Sequence, residues 1–332
     1  MTWNDLANPS RQTVWQHIRS LRHQPPGFAS GGHRRKVFGS ALEQAEELFR
    51  AAEVTGYASQ PILLFYGLSQ AGRAIAAAST SATGNDWRLA GHGIKVRNLA
   101  QGTPLSEIVV SDDGSGSFTQ LAPLLGSGSL PTGSSLGELW ATIPDLHKTP
   151  VPGRGEEYRN VLRMEAVKSG DGEVRAVIYG LPLRFAYSVP EEEIASYLAA
   201  YPSLVGSTGP SSSDSTPTVG GAEATAHVPR RWTMPANDLA GFKVARTWPY
   251  RGDDERYVYP ALGGSDTPLY PLLTWWAILF ALSMLARYEP ASWTTHLDVD
   301  SSPDAVPLEA ALSEALDACP QLILHAIRAA SR

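Results

Sequence analysis

The chain has a single cysteine, Cys319. One thiol excludes an internal disulfide and any zinc site built on paired thiolates. Cys319 stands in an apolar C-terminal stretch, so it reads as a small core residue. A basic excess is missing too. The formal net charge is −6 over 332 residues, and only 18% of residues are charged. A general nucleic-acid binder usually carries the opposite balance, so net charge does not support nucleic acid as a partner, and only a local basic patch keeps it open. The opening residues, MTWNDLANPSRQ, lack a basic segment followed by an apolar one, so no secretory signal is expected. G-x-x-x-x-G-K-[ST], the dinucleotide-binding glycine fingerprint and H-E-x-x-H are all absent, which speaks against a P-loop ATPase, a dinucleotide enzyme and a zincin. No internal repeat is visible. These absences set the expectation of a cytoplasmic protein with no cofactor and no metal.

Long apolar runs are scarce. The one candidate, residues 269–286 (LYPLLTWWAILFALSMLA), is near the length that spans a membrane. Tyr270, Pro271, Thr274 and Ser283 interrupt it, and Arg287 is its only basic flank. It is expected to be a buried core helix, with no membrane contact. What the chain does have is 43% apolar residues, 30 glycines and 25 prolines. That is enough for a sizeable core joined by many turns.

Periodicity sets out the elements. Residues 11–23 place Val14, Ile18 and Leu21 on one helical face, with Ser10 as N-cap. Residues 37–53 form an amphipathic helix whose stripe is Ala41, Leu42, Ala45, Leu48, Phe49 and Ala52. Short strands are expected at 93–97 and 107–110, and a short helix at 136–140. From residue 157 the period changes to two, and 161–167 with 173–180 reads as a β-hairpin. Residues 183–188 extend that sheet, and 191–201 form a short helix. Residues 206–226, GSTGPSSSDSTPTVGGAEATA, carry almost nothing that enters a core and read as a disordered loop. Strands resume at 241–247 and 256–259. Helices at 269–288 and 307–330 close the chain, with Pro320 expected to break or kink the second. The fold class is therefore α+β. An N-terminal helical part (1–150) and C-terminal helices (263–332) form one composite domain around a β-rich insertion (151–262).

One segment has two readings. In PILLFYGLSQAGRAIAAAS, residues 61–79, Ile62 to Tyr66 could be a strand, with Ser69 presented on a tight turn before a helix. That is the nucleophile elbow of a serine hydrolase. The pattern G-x-S-x-G is not quite met, because Ala71 holds the second small position and Gly72 follows it. The preceding helices also argue against the parallel sheet an elbow needs. The other reading, a single buried helix, fits better, and Ser69 is then a small residue that permits close packing.

Other constellations are weaker. Arg11 and His17 are spaced as in helical HEPN ribonucleases, where guanidinium and imidazole meet at a phosphodiester. Such pairs arise by chance, and this one lies in the first helix rather than late in the domain, although the helix pair 41–52 and 61–78 has a HEPN-like texture. His92 lies between Gly91 and Gly93 and is followed by Lys95 and Arg97. With Arg73 and Arg88 it could line an anion site, or it could cap a neighbouring helix. His296, Asp298 and Asp300 alternate as strand-borne ligands of a hard cation would, or mark a turn. Arg19, Arg22, His23, His33, Arg34, Arg35 and Lys36 form a basic patch, read as a solvated loop surface.

RRKVFGSALEQAEELFRAA, QPILLFYGLSQAGRAIAAA, WRLAGHGIKV, SLGELWATIPDL and LLTWWAILFALSMLARYEPASWT resemble the YaaC-like family of bacterial proteins over nearly the whole chain. The blocks FYGLSQAGRAI and LARYEPASW are the most specific, and 206–226 carries none of the resemblance. The resemblance implies a cytoplasmic bacterial protein and carries no catalytic residues over. It directs attention to Tyr66, Gln70, Arg73, His92, Arg287, Tyr288, Glu289 and Trp293. Arg73 and Arg287 each end a strongly apolar helix, and an unpaired charge there is costly, with Glu289 one candidate partner. The candidate ligand or anion site is thus Arg73, His92, Arg287, Tyr66 and Gln70. The leading expectation is a non-enzymatic binding component of a defence or nucleotide-linked regulatory system, with a protein partner or a second copy of itself. The alternatives are a HEPN-like ribonuclease and a serine hydrolase using Ser69.

Overall fold

The computed structural model describes residues 9–153, 158–168, 174–182, 191–204, 230–234, 247–251 and 256–332. The segments expected at 183–188, 206–226 and 241–246 lie outside them. The chain opens with three helices. α1 (Arg11–His23) starts at Ser10, whose Oγ accepts from the Thr13 N–H at 3.3 Å. α2 (Gly32–Glu53) begins five residues before the position its apolar stripe suggests. His33, Arg34, Arg35 and Lys36 therefore lie on a helix, not on a loop. α3 (Gln60–Ala78) is unbroken, with Pro61 in the first turn, where a missing N–H costs nothing. The segment 61–79 is the core helix and not an elbow.

The next stretch supplies a small sheet and two short helices. β1 (Ile94–Arg97), β2 (Val109–Asp112) and β3 (Ser134–Ser135) pair antiparallel in the order β1-β2-β3. Ile94 faces Asp112 and Val109 faces Ser135. α4 (Ser117–Leu124) was not evident in the periodicity, being only two turns long. α5 (Leu136–Ala141) is capped by Ser135, whose Oγ accepts from the Glu138 N–H while the Glu138 carboxylate accepts from the Ser135 N–H.

The second sheet comes from β4 (Leu162–Lys168), β5 (Val174–Tyr179), β6 (Arg230–Met234), β7 (Trp248–Pro249) and β8 (Arg256–Val258), with α6 (Glu191–Leu198) between β5 and β6. Its order is β6-β5-β4-β8-β7, antiparallel throughout. Leu162, Met164, Ile178 and Val258 from the strands close on Ile194, Tyr197, Leu198 and Tyr201. This second core is separate from the main one.

The chain ends in α7 (Pro271–Tyr288), α8 (Pro290–His296) and α9 (Ala305–Ala330). A helix apolar on every side must be enclosed by protein or lipid. Among the described residues α7 alone is long and apolar enough to cross a membrane, and 78% of its span is buried inside this protein. It packs against α3. α9 continues without interruption past Pro320, which is buried between Cys319 and Gln321. Proline removes one backbone hydrogen bond. Here the buried apolar neighbours Leu316, Cys319, Leu322 and Ile323 hold the helix on both sides of that gap, so no break occurs.

Two glycines let α3 sit deep in the bundle. A Cβ on Gly67 would lie 2.7 Å from the Phe49 ring of α2, and one on Gly72 would lie 2.6 Å from the Trp276 ring of α7. The contacts between α3 and α7 run in opposite senses: Gly72 meets Trp276, and Tyr66 meets Arg287. This packing brings the start of α3 beside the end of α7.

Candidate functional site

Tyr66, Gln70 and Arg73 lie at spacings of four and three, so α3 presents them on one face. The last turn of α7 adds Arg287 and Tyr288 to that face. Arg287 donates from Nη1 to the Tyr66 hydroxyl at 2.9 Å and from Nη2 to the Tyr288 hydroxyl at 2.8 Å. Its guanidinium also lies 4.8 Å from the Tyr288 ring centroid. Arg73 donates from Nη1 to the Gln70 side-chain carbonyl at 3.4 Å. The Nε–H of Arg73 is buried with no acceptor.

His92 completes the group from the loop before β1. Its ring rests on Phe65 and Phe280, with centroids 5.6 and 5.7 Å away, while the residue stays open to solvent. The loop is held by its backbone. Gly93 has φ +69°, and a Cβ there would lie 2.7 Å from the Gly116 backbone. The carbonyls of Gly91 and His92 accept from the Ser117 and Phe118 N–H groups at 3.2 and 2.9 Å. The helix capping expected of the His92 side chain is thus done by its main chain, which leaves the imidazole against Phe65 and Phe280. Desolvation against the two phenyl rings lowers its pKa, and the charges of Arg287 and then Arg73 lower it further.

The structure therefore brings Tyr66, Gln70, Arg73, His92 and Arg287 together. No carboxylate among the described residues lies within 4.0 Å of Arg73 or Arg287. Glu289, the expected partner of Arg287, precedes the first turn of α8 instead. Arg88 stands over Trp87, 5.3 Å from its ring, and takes no part. Chemically the recess is an array of cations and hydrogen-bond donors.

The other candidates are placed differently. Ser69 is buried mid-helix in α3, without the strand-turn-helix geometry of an elbow. Arg11 and His17 sit on one continuous helix, where six residues separate side chains by about 9 Å along the axis and about 120° around it. Arg11 is also tied to Glu53 and Asp317, both at 2.8 Å. His296 ends α8 and is paired with Asp304 at 2.7 Å. Asp298 closes a turn by accepting from the Asp300 N–H and the Ser301 hydroxyl. This run is therefore no strand, and among the described residues no group of three or more His, Cys, Asp or Glu is placed to hold a metal ion.

The basic patch is largely engaged within the fold. Arg34 donates to the Ser79 and Ala82 carbonyls at 3.1 and 2.6 Å and stacks between Phe28 and Trp87. Arg35 donates to Ser30 and His23 carbonyls, and Arg22 pairs with Glu43 at 3.0 Å. A cleft of about 550 Å³ lies between α1, α2 and α9, lined by Arg11, Trp15, Arg19, Arg50, Glu53 and Asp317. Its charges pair with carboxylates of the same chain.

One cluster had no signal in the sequence. Arg251 donates from Nε to Asp145 at 3.1 Å and also pairs with Glu314. Beside it, the fully buried Tyr250 hydroxyl accepts from the Trp275 indole at 2.9 Å. Burial raises the pKa of Asp145, with Arg251 opposing that rise. These residues clamp the β7 end of the second sheet to α7 and α9.

Fold and site together define an α+β protein with Arg73, Arg287 and His92 clustered near the α3–α7 contact and no carboxylate among the described residues within 4.0 Å of either arginine. Residues 8–327 match the family model described as YaaC-like Protein, so the chain belongs to the YaaC-like family. No curated protein and no solved structure matches it.

Proposed function

We propose that this protein is a non-enzymatic binding component that recognises a small anion in the recess formed by Arg73, His92 and Arg287. The observation that carries this reading is the pair of guanidiniums facing one imidazole with no carboxylate between them. Nearby positive charges repel, and a protein holds them together at a cost unless an anion offsets it. The hydroxyls at the recess are phenols already bound to Arg287, and Ser69 is buried, so the groups present suit holding an anion better than attacking one. A ligand-responsive role in regulation or defence accords with such a site. The test is titration of inorganic phosphate while the His92 ring protons are followed by NMR. Saturable shifts at His92 are expected, and affinity at least about tenfold weaker in the Arg73→Met/Arg287→Met variant, since charge-assisted hydrogen bonds are being removed. Equal affinity in wild type and variant would overturn the reading.

A further inference from the structure

We propose that the ligand is a mononucleotide, its phosphate held by Arg73 and Arg287 and its base stacked on the ring of Tyr288. This inference rests on the anion-site reading above and specifies its ligand class. The donor count points to a phosphate. Arg287 donates to both phenol oxygens, so Tyr66 and Tyr288 each spend a lone pair and keep an O–H to donate outward. Gln70 accepts from Arg73 through its carbonyl, which leaves its amide N–H groups as donors. Two guanidiniums, two phenols, an amide and an imidazole exceed what the two oxygens of a carboxylate can accept. They match the three terminal oxygens and double charge of a phosphomonoester. His92 reinforces the match. Its proton is disfavoured first by desolvation and then by the charges of Arg287 and Arg73, and a bound dianion would offset those charges, so proton uptake is expected to accompany binding.

The aromatic half of the argument comes from Tyr288. The residue is 60% exposed although it sits at the end of the most apolar helix among the described residues. Its hydroxyl and Arg287 fix its position, and Tyr66 beside it is 38% exposed. An exposed aromatic side chain next to a cluster of cationic and polar donors is the combination that takes a nucleobase by stacking. The ligand is a single nucleotide rather than a strand. A strand needs a run of free cations along its backbone, and here Arg22, Arg34 and Arg35 are spent on the protein's own acceptors.

Calorimetric titration of the full chain with the four ribonucleoside 5′-monophosphates, with inorganic phosphate and with adenosine decides the matter. At least one mononucleotide is expected to bind about fivefold or more tighter than inorganic phosphate, the low end of what one stacked base contributes. Adenosine alone is expected to bind more weakly than its monophosphate. Tyr288→Phe keeps the ring and should keep the nucleotide-to-phosphate ratio, whereas Tyr288→Ala should bring that ratio to one. Tyr288 is exposed, so both variants are expected to fold. Phosphate binding as tightly as every mononucleotide overturns the base platform and leaves the anion site standing. A ratio unchanged in Tyr288→Ala also overturns it. No binding by phosphate or nucleotide overturns both readings.

Discussion

Two arginine clusters lie on the same helical body, and the protein treats them in opposite ways. Around α1, α2 and α9, every arginine of the cleft meets a carboxylate. Arg11 bridges Glu53 and Asp317, while Arg19 and Arg50 share Glu46, whose side chain is only 7% exposed. At the α3–α7 contact, Arg73 and Arg287 meet phenols, an amide and an imidazole, none of which carries a compensating negative charge. The first cluster holds helices together. The second has no acid to offset its charge, and that difference is what favours it as the proposed anion site. The cleft between α1, α2 and α9 carries its own acids, Glu53 and Asp317, beside its arginines.

Arg251 extends the paired class to the second sheet and should give the largest effect. Arg251 and Asp145 are each 18% exposed and Glu314 is 37% exposed. Replacing Arg251 by Met leaves two carboxylates facing each other without their cation. Removing one partner from such a group typically costs several kcal/mol. We expect Arg251→Met to lower the unfolding free energy by about 3 kcal/mol in urea denaturation. A loss under about 0.5 kcal/mol would erase the distinction between clamped and open arginines.

The recess makes the opposite prediction for stability. Arg73→Met removes a buried Nε–H that has no acceptor, together with one long hydrogen bond to Gln70. The aliphatic stem is kept by the methionine. Stability is expected to change by less than about 0.5 kcal/mol, measured in the same urea titration, and a gain would fit as well. A loss approaching that of Arg251→Met would mean that Arg73 has a structural partner and belongs with the first cluster.

How much of this was legible beforehand follows from the range of the interactions. α7 was readable because its apolar run leaves no polar face, and a buried helix satisfies such a run among polar neighbours, while α3 was readable because the helices before it argued against an elbow. Tyr66, Gln70 and Arg73 were readable as one face once α3 was known to be helical. The meeting of Arg73 with Arg287 and His92 was not readable from spacing. It depends on how α3 and α7 pass each other, which Gly72 permits against the ring of Trp276. Of the break or kink expected at Pro320, the break does not occur, since the helix continues past it along α9. The Arg251 clamp joins residues 106 and 63 positions apart, and no local pattern marks it. α2 began early because its first turn is basic and polar, so no apolar stripe announces it.

The smallest effect is electrostatic and has a definite sign. The folded protein holds the His92 pKa below its ordinary value of 6.5 through desolvation, Arg287 and Arg73. The unfolded chain therefore binds more protons at this residue as pH falls through 6.5, and proton binding to the unfolded state favours unfolding. Wild type is expected to lose stability relative to His92→Asn as pH falls below 6.5. The loss should level off once the folded imidazole also titrates. Phosphate should shrink that loss, because an anion between the guanidiniums raises the folded pKa towards or above the unfolded one. The measurement is a set of urea denaturations from pH 7.5 to pH 4.5, with and without phosphate. In Arg73→Met and Arg287→Met the loss should be smaller even without phosphate, since each variant removes one of the charges opposing protonation. A wild-type profile parallel to that of His92→Asn at every pH would show that the three groups do not share a field.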